Sequence, residues 1–217
     1  MKTSLVVFDM DGVLVDTIST WVWVHQHFGV NNDAALKLFL EKKIDDMEFM
    51  RRDIALWLSK NPSLSLADIK KITDAAPLMP GIVETIRALT RRDIDSAVIT
   101  GGLDVVAKKI AKEAKIKHVI SNGLEIDEHG ILTGEGICNV ELLDKAKPLR
   151  QLMQKIGLKK EEVVAVGNSH IDVPMFKVAS FGIAFNPADE IVQREAKFVV
   201  REKNLLAILK YIGNGFD

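Results

Sequence analysis

Short, unbroken apolar runs that stop abruptly at polar or glycine-rich sequence constrain this chain most. Leu5-Val6-Val7-Phe8 ends at Asp9, Ala97-Val98-Ile99 at Thr100-Gly101-Gly102, Val163-Val164-Ala165-Val166 at Gly167, and Gly182-Ile183-Ala184-Phe185 at Asn186-Pro187. Runs of this length, rich in β-branched residues and without polar alternation, read as strands buried on both faces. Phe198-Val199-Val200 reads as a last, shorter strand. Apolar residues at helical spacing fill the intervals from Ile82 to Arg91, Asp104 to Lys115, Ala146 to Ile156 and Asn204 to Ile212. Strands that alternate with helices in this way predict an α/β fold with a mainly parallel sheet.

Two stretches break the alternation. Between Asp16 and about Met79 no strand is legible, but Ile18–Phe28, Ala34–Leu40, Asp45–Leu58 and Leu66–Ala75 each have helical composition. Asn31-Asn32-Asp33 and Asn61-Pro62-Ser63 supply breaks and N-caps between them. The expected division is a core of residues 1–15 and 79–217 around a helical insert at 16–78. From His118 to Val140, apolar-alternating flanks surround Asp127-Glu128-His129-Gly130, the pattern of a β-hairpin.

Composition narrows the function. The chain has 217 residues, 47% hydrophobic, enough for a sizeable core. Lys+Arg 29 against Asp+Glu 30 leaves a net charge of -1, which offers no global attraction to nucleic acid or an anionic membrane. One cysteine, Cys138, excludes an internal disulfide and a multi-cysteine metal site. The apolar run after Met1 is too short for a secretion signal, and no run reaches a membrane span, so a cytoplasmic protein is expected.

In open parallel sheets ligands bind beyond the carboxyl ends of the strands. Asp9 and Asp11 stand two apart at such an end. Side chains two apart on extended backbone point the same way, and two converging carboxylates repel unless a cation or proton intervenes. A hard cation such as Mg²⁺ suits oxygen ligands of this kind. Thr100 adds a hydroxyl at a second strand end, Gly101 and Gly102 allow close approach of backbone N–H groups to an anion, and Lys145 and Asp172 add further charge. Carboxylates, hydroxyl, lysine and metal together suit phosphoryl transfer through an aspartyl-phosphate.

These residues, in this order, resemble the four motifs of haloacid-dehalogenase-superfamily phosphatases. Asp9-Met10-Asp11-Gly12-Val13-Leu14-Val15-Asp16 is similar to the first, Thr100-Gly101-Gly102 to the second, Lys145 to the lysine of the third, and Gly167 to Phe176 to the fourth. The resemblance spans nearly the whole chain and is nearest the phosphoserine-phosphatase-like branch. It implies a Rossmann-like core with an inserted helical-bundle cap, and Mg²⁺-dependent hydrolysis of a small phosphorylated metabolite. By resemblance Asp9 is the nucleophile and Asp11 the acid and base. Thr100, Gly101 and Lys145 hold the phosphoryl group, and Asp9, Asp11, Asn168 and Asp172 supply the metal site. Arg51, in Lys43 to Arg51, resembles a cap arginine that grips the substrate carboxylate.

The fourth motif departs from its usual form. Asn168 stands where an aspartate metal ligand is expected, and only Asp172 keeps its place. Either Asp172 serves as the ligand in a working enzyme, or the chain is an impaired relative that binds phosphometabolites or regulates, or position 168 has been substituted in an ordinary enzyme. Ile18 stands where the branch has an amine-binding glutamate, so a small phosphorylated acid without an amine is a further candidate beside phosphoserine. His25 and His27, two apart on a helix, do not share a face and read as packing or surface residues. Trp21, Trp23, Phe28 and Trp57 read as the core of the insert, His170 as an orienting residue beside motif four, and Cys138 as inert.

Overall fold

A computed structural model describes residues 2–213. In chain order the elements are β1 (Leu5–Phe8), α1 (Thr20–Phe28), α2 (Asp33–Leu40), α3 (Asp46–Lys60), α4 (Leu66–Thr73), α5 (Ile82–Thr90), β2 (Asp95–Leu103), α6 (Asp104–Ala114), β3 (His118–Ile126) and β4 (Leu132–Ile137). They continue with α7 (Ala146–Ile156), β5 (Val163–Gly167), α8 (Val173–Val178), β6 (Phe181–Phe185), α9 (Glu190–Glu195) and β7 (Phe198–Val200). The seven strands form one sheet in the order β4-β3-β2-β1-β5-β6-β7. Every pairing is parallel except β3 with β4.

The apolar runs are strands because each is buried on both sides. Val6, Phe8, Val98, Val164, Val166, Ile183 and Phe185 point to one face, and Leu5, Val7, Ala97, Ile99, Val163 and Ala165 to the other. The first face packs on α5, α6 and residues 205–212, through Ile86, Leu89, Val106, Ile110, Leu205 and Ile208. The second packs on α7 and α8, through Leu149, Leu152, Met175 and Phe176. Trp21, Val24, Ile54, Trp57 and Ile69, from the helices between β1 and α5, belong to the same apolar cluster as the first face.

Strand order places the site. From β1 the chain adds β2 and then β3 on one side, and β5 on the other. The carboxyl end of β1 is therefore a switch point, flanked by the ends of β2 and β5. Three details differ from expectation. Strand β2 runs on through Thr100-Gly101-Gly102 to Leu103, with a break in its register against β3 after Thr100. The first half of β3 pairs parallel with β2 and its second half antiparallel with β4, so the hairpin is also a strand of the main sheet. Leu205–Tyr211 is a 3-10 helix instead of an α-helix, capped by the Asn204 side chain, which accepts from the Leu206 N–H.

Candidate active site

The sheet delivers Asp9 to the floor of a cavity of about 830 Å³. Asp9, Asp11, Thr100, Gly101, Lys145 and Asn168 all line it. Its opposite wall comes from α1, α2 and α3.

Burial and charge set the chemistry of the floor. Asp9 is buried, with Oδ1 2.7 Å from the Lys145 Nζ. Lys145, itself buried at the start of α7, also lies 2.7 Å from Asp172 Oδ1. Burial disfavours the lone ammonium, but Asp172 and Asp9 hold the lysine well above its usual range. Burial and then the charge of Asp172 raise Asp9 to about 6, against the lowering effect of Lys145. Burial and the charge of Asp9 raise Asp11 to about 7. Asp11 Oδ2 accepts from the Thr20 hydroxyl at 3.3 Å, while its Oδ1 is buried without a hydrogen-bond partner. A carboxyl so placed is protonated in good part near neutrality and has one oxygen free for a reacting group.

The scaffold around these groups is tight. The Leu103 N–H donates to Thr20 Oγ1 at 3.0 Å, and the Trp21 indole N–H to the Gly101 carbonyl at 3.0 Å, so α1 is fastened to the end of β2. A Cβ on Gly102 would lie 2.7 Å from Asp11 Oδ2 and 2.8 Å from Thr20 Oγ1, so only glycine fits. The Gly102 N–H is already bound to Thr100 Oγ1 at 2.9 Å, so Thr100 and Gly101 alone of this motif remain for an anion. Thr20 and Trp21 were not singled out for the site by sequence. Their role depends on where α1 docks, which no local pattern reveals.

Two expected residues are placed elsewhere. Arg51 does not line the cavity. Its exposed guanidinium holds Glu135 through Nε and Nη2 at 2.8 and 2.9 Å and Glu48 through Nη1 at 2.6 Å, tying α3 to β4. The bidentate fork has found carboxylates, but they are the protein's own. Asp172 does not line the cavity either. Besides Lys145, it accepts from the N–H groups of Asn168 at 2.8 Å and Ser169 at 3.1 Å, so both its oxygens are engaged by the protein.

Asn168 does reach the cavity, against the left-handed Gly12 (φ +77), where a Cβ would lie 2.0 Å from its Nδ2. Its side chain makes no hydrogen bond among the described residues. No cluster of three or more His, Cys, Asp or Glu able to hold a metal occurs among the described residues. Hard oxygen donors are nevertheless available in the Asp9 carboxylate, the Asp11 main-chain carbonyl and the Asn168 amide oxygen. Asp9, Asp11 and Asp172 against Lys145 alone leave an excess of negative charge, which a small divalent cation would relieve. The residues present fit such an ion, with one charge fewer than a second carboxylate would give.

A buried polar group occupies the far wall. The Trp57 indole N–H donates to His25 Nδ1 at 2.7 Å, and His25 Nε2 lies 2.9 Å from Asp53 Oδ1. Indole is a donor only, so Nδ1 carries no proton and Nε2 donates to Asp53: the ring is neutral. Asn32 Nδ2 donates to the same Asp53 oxygen at 2.6 Å. His25 is thus a packing histidine as expected, although it and Asp53 border the cavity. No helix among the described residues is long and apolar enough to cross a membrane.

The chain is 30% identical over 217 residues to a phosphoserine phosphatase of Methanocaldococcus jannaschii, covering 97% of this chain and 98% of the relative. It is 32% identical over 188 residues to phosphoserine phosphatase SerB2 of Mycobacterium tuberculosis, covering 84% of this chain but only 44% of that longer protein. A solved phospho-aspartyl intermediate analogue of phosphoserine phosphatase superposes with a TM-score of 0.80 at 28% identity, over 98% of this chain and all of the other. Residues 6–177 match the haloacid dehalogenase-like hydrolases. With that match, this sheet order and this site at the switch point, the chain belongs to the haloacid dehalogenase-like hydrolase family.

Proposed function

We propose that the chain hydrolyses a small phosphomonoester in two steps at Asp9. The observation that carries this is the pairing of a buried Asp9 beside Lys145 with a second carboxyl, Asp11, whose Oδ1 is free and whose pKa is raised to about 7. An Asp9 oxygen attacks phosphorus, the bond from phosphorus to the alcohol oxygen breaks, and Asp11 gives that oxygen its proton. Asp11 then takes a proton from water as the water attacks the aspartyl-phosphate, which releases phosphate and restores Asp9. Thr100, the Gly101 backbone and Lys145 hold the phosphoryl oxygens, and Asp172 keeps Lys145 in place. Thr20 aims the Asp11 carboxyl. The relatives' names make phosphoserine the reference ester.

Asp9, the Asp11 carbonyl and Asn168 would hold Mg²⁺, which supplies charge neutralisation for the phosphoryl group. The helical segment at 16–78 serves as a cap over a core of residues 1–15 and 79–217, and excludes water while Asp9 is attacked. A location in the cytoplasm fits the single cysteine. The test is phosphate release from a panel of small phosphomonoesters with and without Mg²⁺. Release that depends on Mg²⁺ and disappears in Asp9→Asn is expected. Release that survives Asp9→Asn would refute the mechanism.

A further inference from the structure

The wall of the cavity opposite Asp9 has an unusual charge balance for a site named after phosphoserine in its relatives. Three carboxylates border it: Asp33, Asp46 and Asp53. The basic side chains that line the cavity are Lys145, Lys203 and, when protonated, His25. Lys145 is committed to Asp9 and Asp172, and Lys203 holds Asp16 at 2.9 and 3.1 Å. His25 is neutral, because its Nδ1 accepts from Trp57. Among the described residues, therefore, no free cation faces the part of a substrate that lies beyond its phosphate.

Asp53 carries the argument. It is 3% exposed, and all its protein donors meet Oδ1. No donor among the described residues reaches its Oδ2. A carboxylate oxygen without a protein partner, on a residue that borders a cavity, can take a donor from the ligand. The rest of the wall offers apolar and aromatic surface, with Trp21, Phe49 and Met50 around it, and Ile18 standing 86% exposed. A carboxylate brought here would meet like charge in a partly desolvated space, whereas an ammonium would meet Asp53 and aromatic faces.

We infer that the leaving alcohol is an amino alcohol without a carboxylate, and that Asp53 is the residue that selects it. The inference rests on the phosphatase reading above and names its substrate class. It separates two features that phosphoserine combines, an ammonium that this wall favours and a carboxylate that it repels.

The experiment measures kcat/KM with Mg²⁺ for phosphoethanolamine, phosphoserine, glycerol phosphate and phosphoglycolate, on the unaltered chain and on Asp53→Asn. Phosphoethanolamine is expected to exceed phosphoserine by at least about tenfold, with phosphoglycolate the poorest. In Asp53→Asn, whose amide oxygen can still accept from His25 and Asn32, the ratio of phosphoethanolamine to glycerol phosphate should fall by about tenfold. A merely structural Asp53 would lower both rates and leave the ratio alone, which would overturn the inference. Preference for phosphoserine or glycerol phosphate by the unaltered chain would overturn it too, whether or not the variant folds. Release from none of the four, nor from any other ester, would instead refute the phosphatase reading itself.

Discussion

Replacing Asn168 by aspartate should convert a weak metal site into a strong one. The change is nearly isosteric, and the amide makes no hydrogen bond among the described residues, so none is lost. Its tight seat against Gly12 fixes where the new oxygen lies. The cost falls on the metal-free protein, since a fourth carboxylate joins Asp9, Asp11 and Asp172 around Lys145. Without added metal the variant should therefore melt below the parent. With Mg²⁺ the sign reverses, because the added charge faces the ion directly. Changing a mere hydrogen-bond partner of a metal ligand alters affinity about 10–100-fold, and a ligand charge should do at least as much. That corresponds to about 1.4–2.7 kcal/mol of extra Mg²⁺ binding energy. The assay is a Mg²⁺ titration read twice, by melting temperature and by phosphate release. The midpoint should move at least about tenfold lower in both. An unchanged midpoint would mean that Asn168 does not touch the metal, and the site drawn around Asp9 would be wrong.

Three further outcomes follow from the same geometry. Asp172→Asn removes a fully buried partner of Lys145 and weakens a turn held by two N–H bonds, so urea unfolding should show a loss of up to about 3–5 kcal/mol, moderated because Asp9 still pairs the lysine. Gly102→Ala drives a methyl to within 2.7 Å of Asp11 Oδ2, so kcat should fall by at least about tenfold while far-ultraviolet circular dichroism stays unchanged. An unchanged kcat would detach Asp11 from the chemistry. Burial, and then Asp46 and Glu141, push the Cys138 thiol up, so at pH 7 it should react with a disulfide reagent much more slowly than in the urea-unfolded chain. Equal rates would show that the thiol is not held as placed here.

What the sequence revealed, and what it hid, divides along the range of the interactions. Leu5–Phe8 and Val163–Val166 announce themselves because a strand buried on both faces must be apolar at every position, and that is a local property. Asp9, Asp11, Thr100, Lys145 and Asn168 were legible because the switch point of a parallel sheet gathers residues that follow strands, and each stands in a motif that survives reading one segment at a time. Arg51 was misplaced by the same habit. Its neighbours along α3 suggest a substrate grip, but the guanidinium is claimed by Glu135, 84 residues away on β4, and no local pattern encodes that claim. Asp172 differs from expectation for a related reason: both its oxygens are engaged, by Lys145 and by the turn it caps, and only the folded loop shows this. His25 is the instructive middle case. Spacing spoke against a metal pair with His27, yet only the contact from Trp57, 32 residues on, fixes its tautomer and leaves Asp53 without a cationic partner there. The floor of the cavity is thus built from residues whose motifs travel together, while the opposite wall is built from pairings among α1, α3 and Asn32, the residue that opens α2. Motifs are local and the cavity wall is made of tertiary contacts, so a resemblance carried by the motifs constrains the reaction far more tightly than the ester.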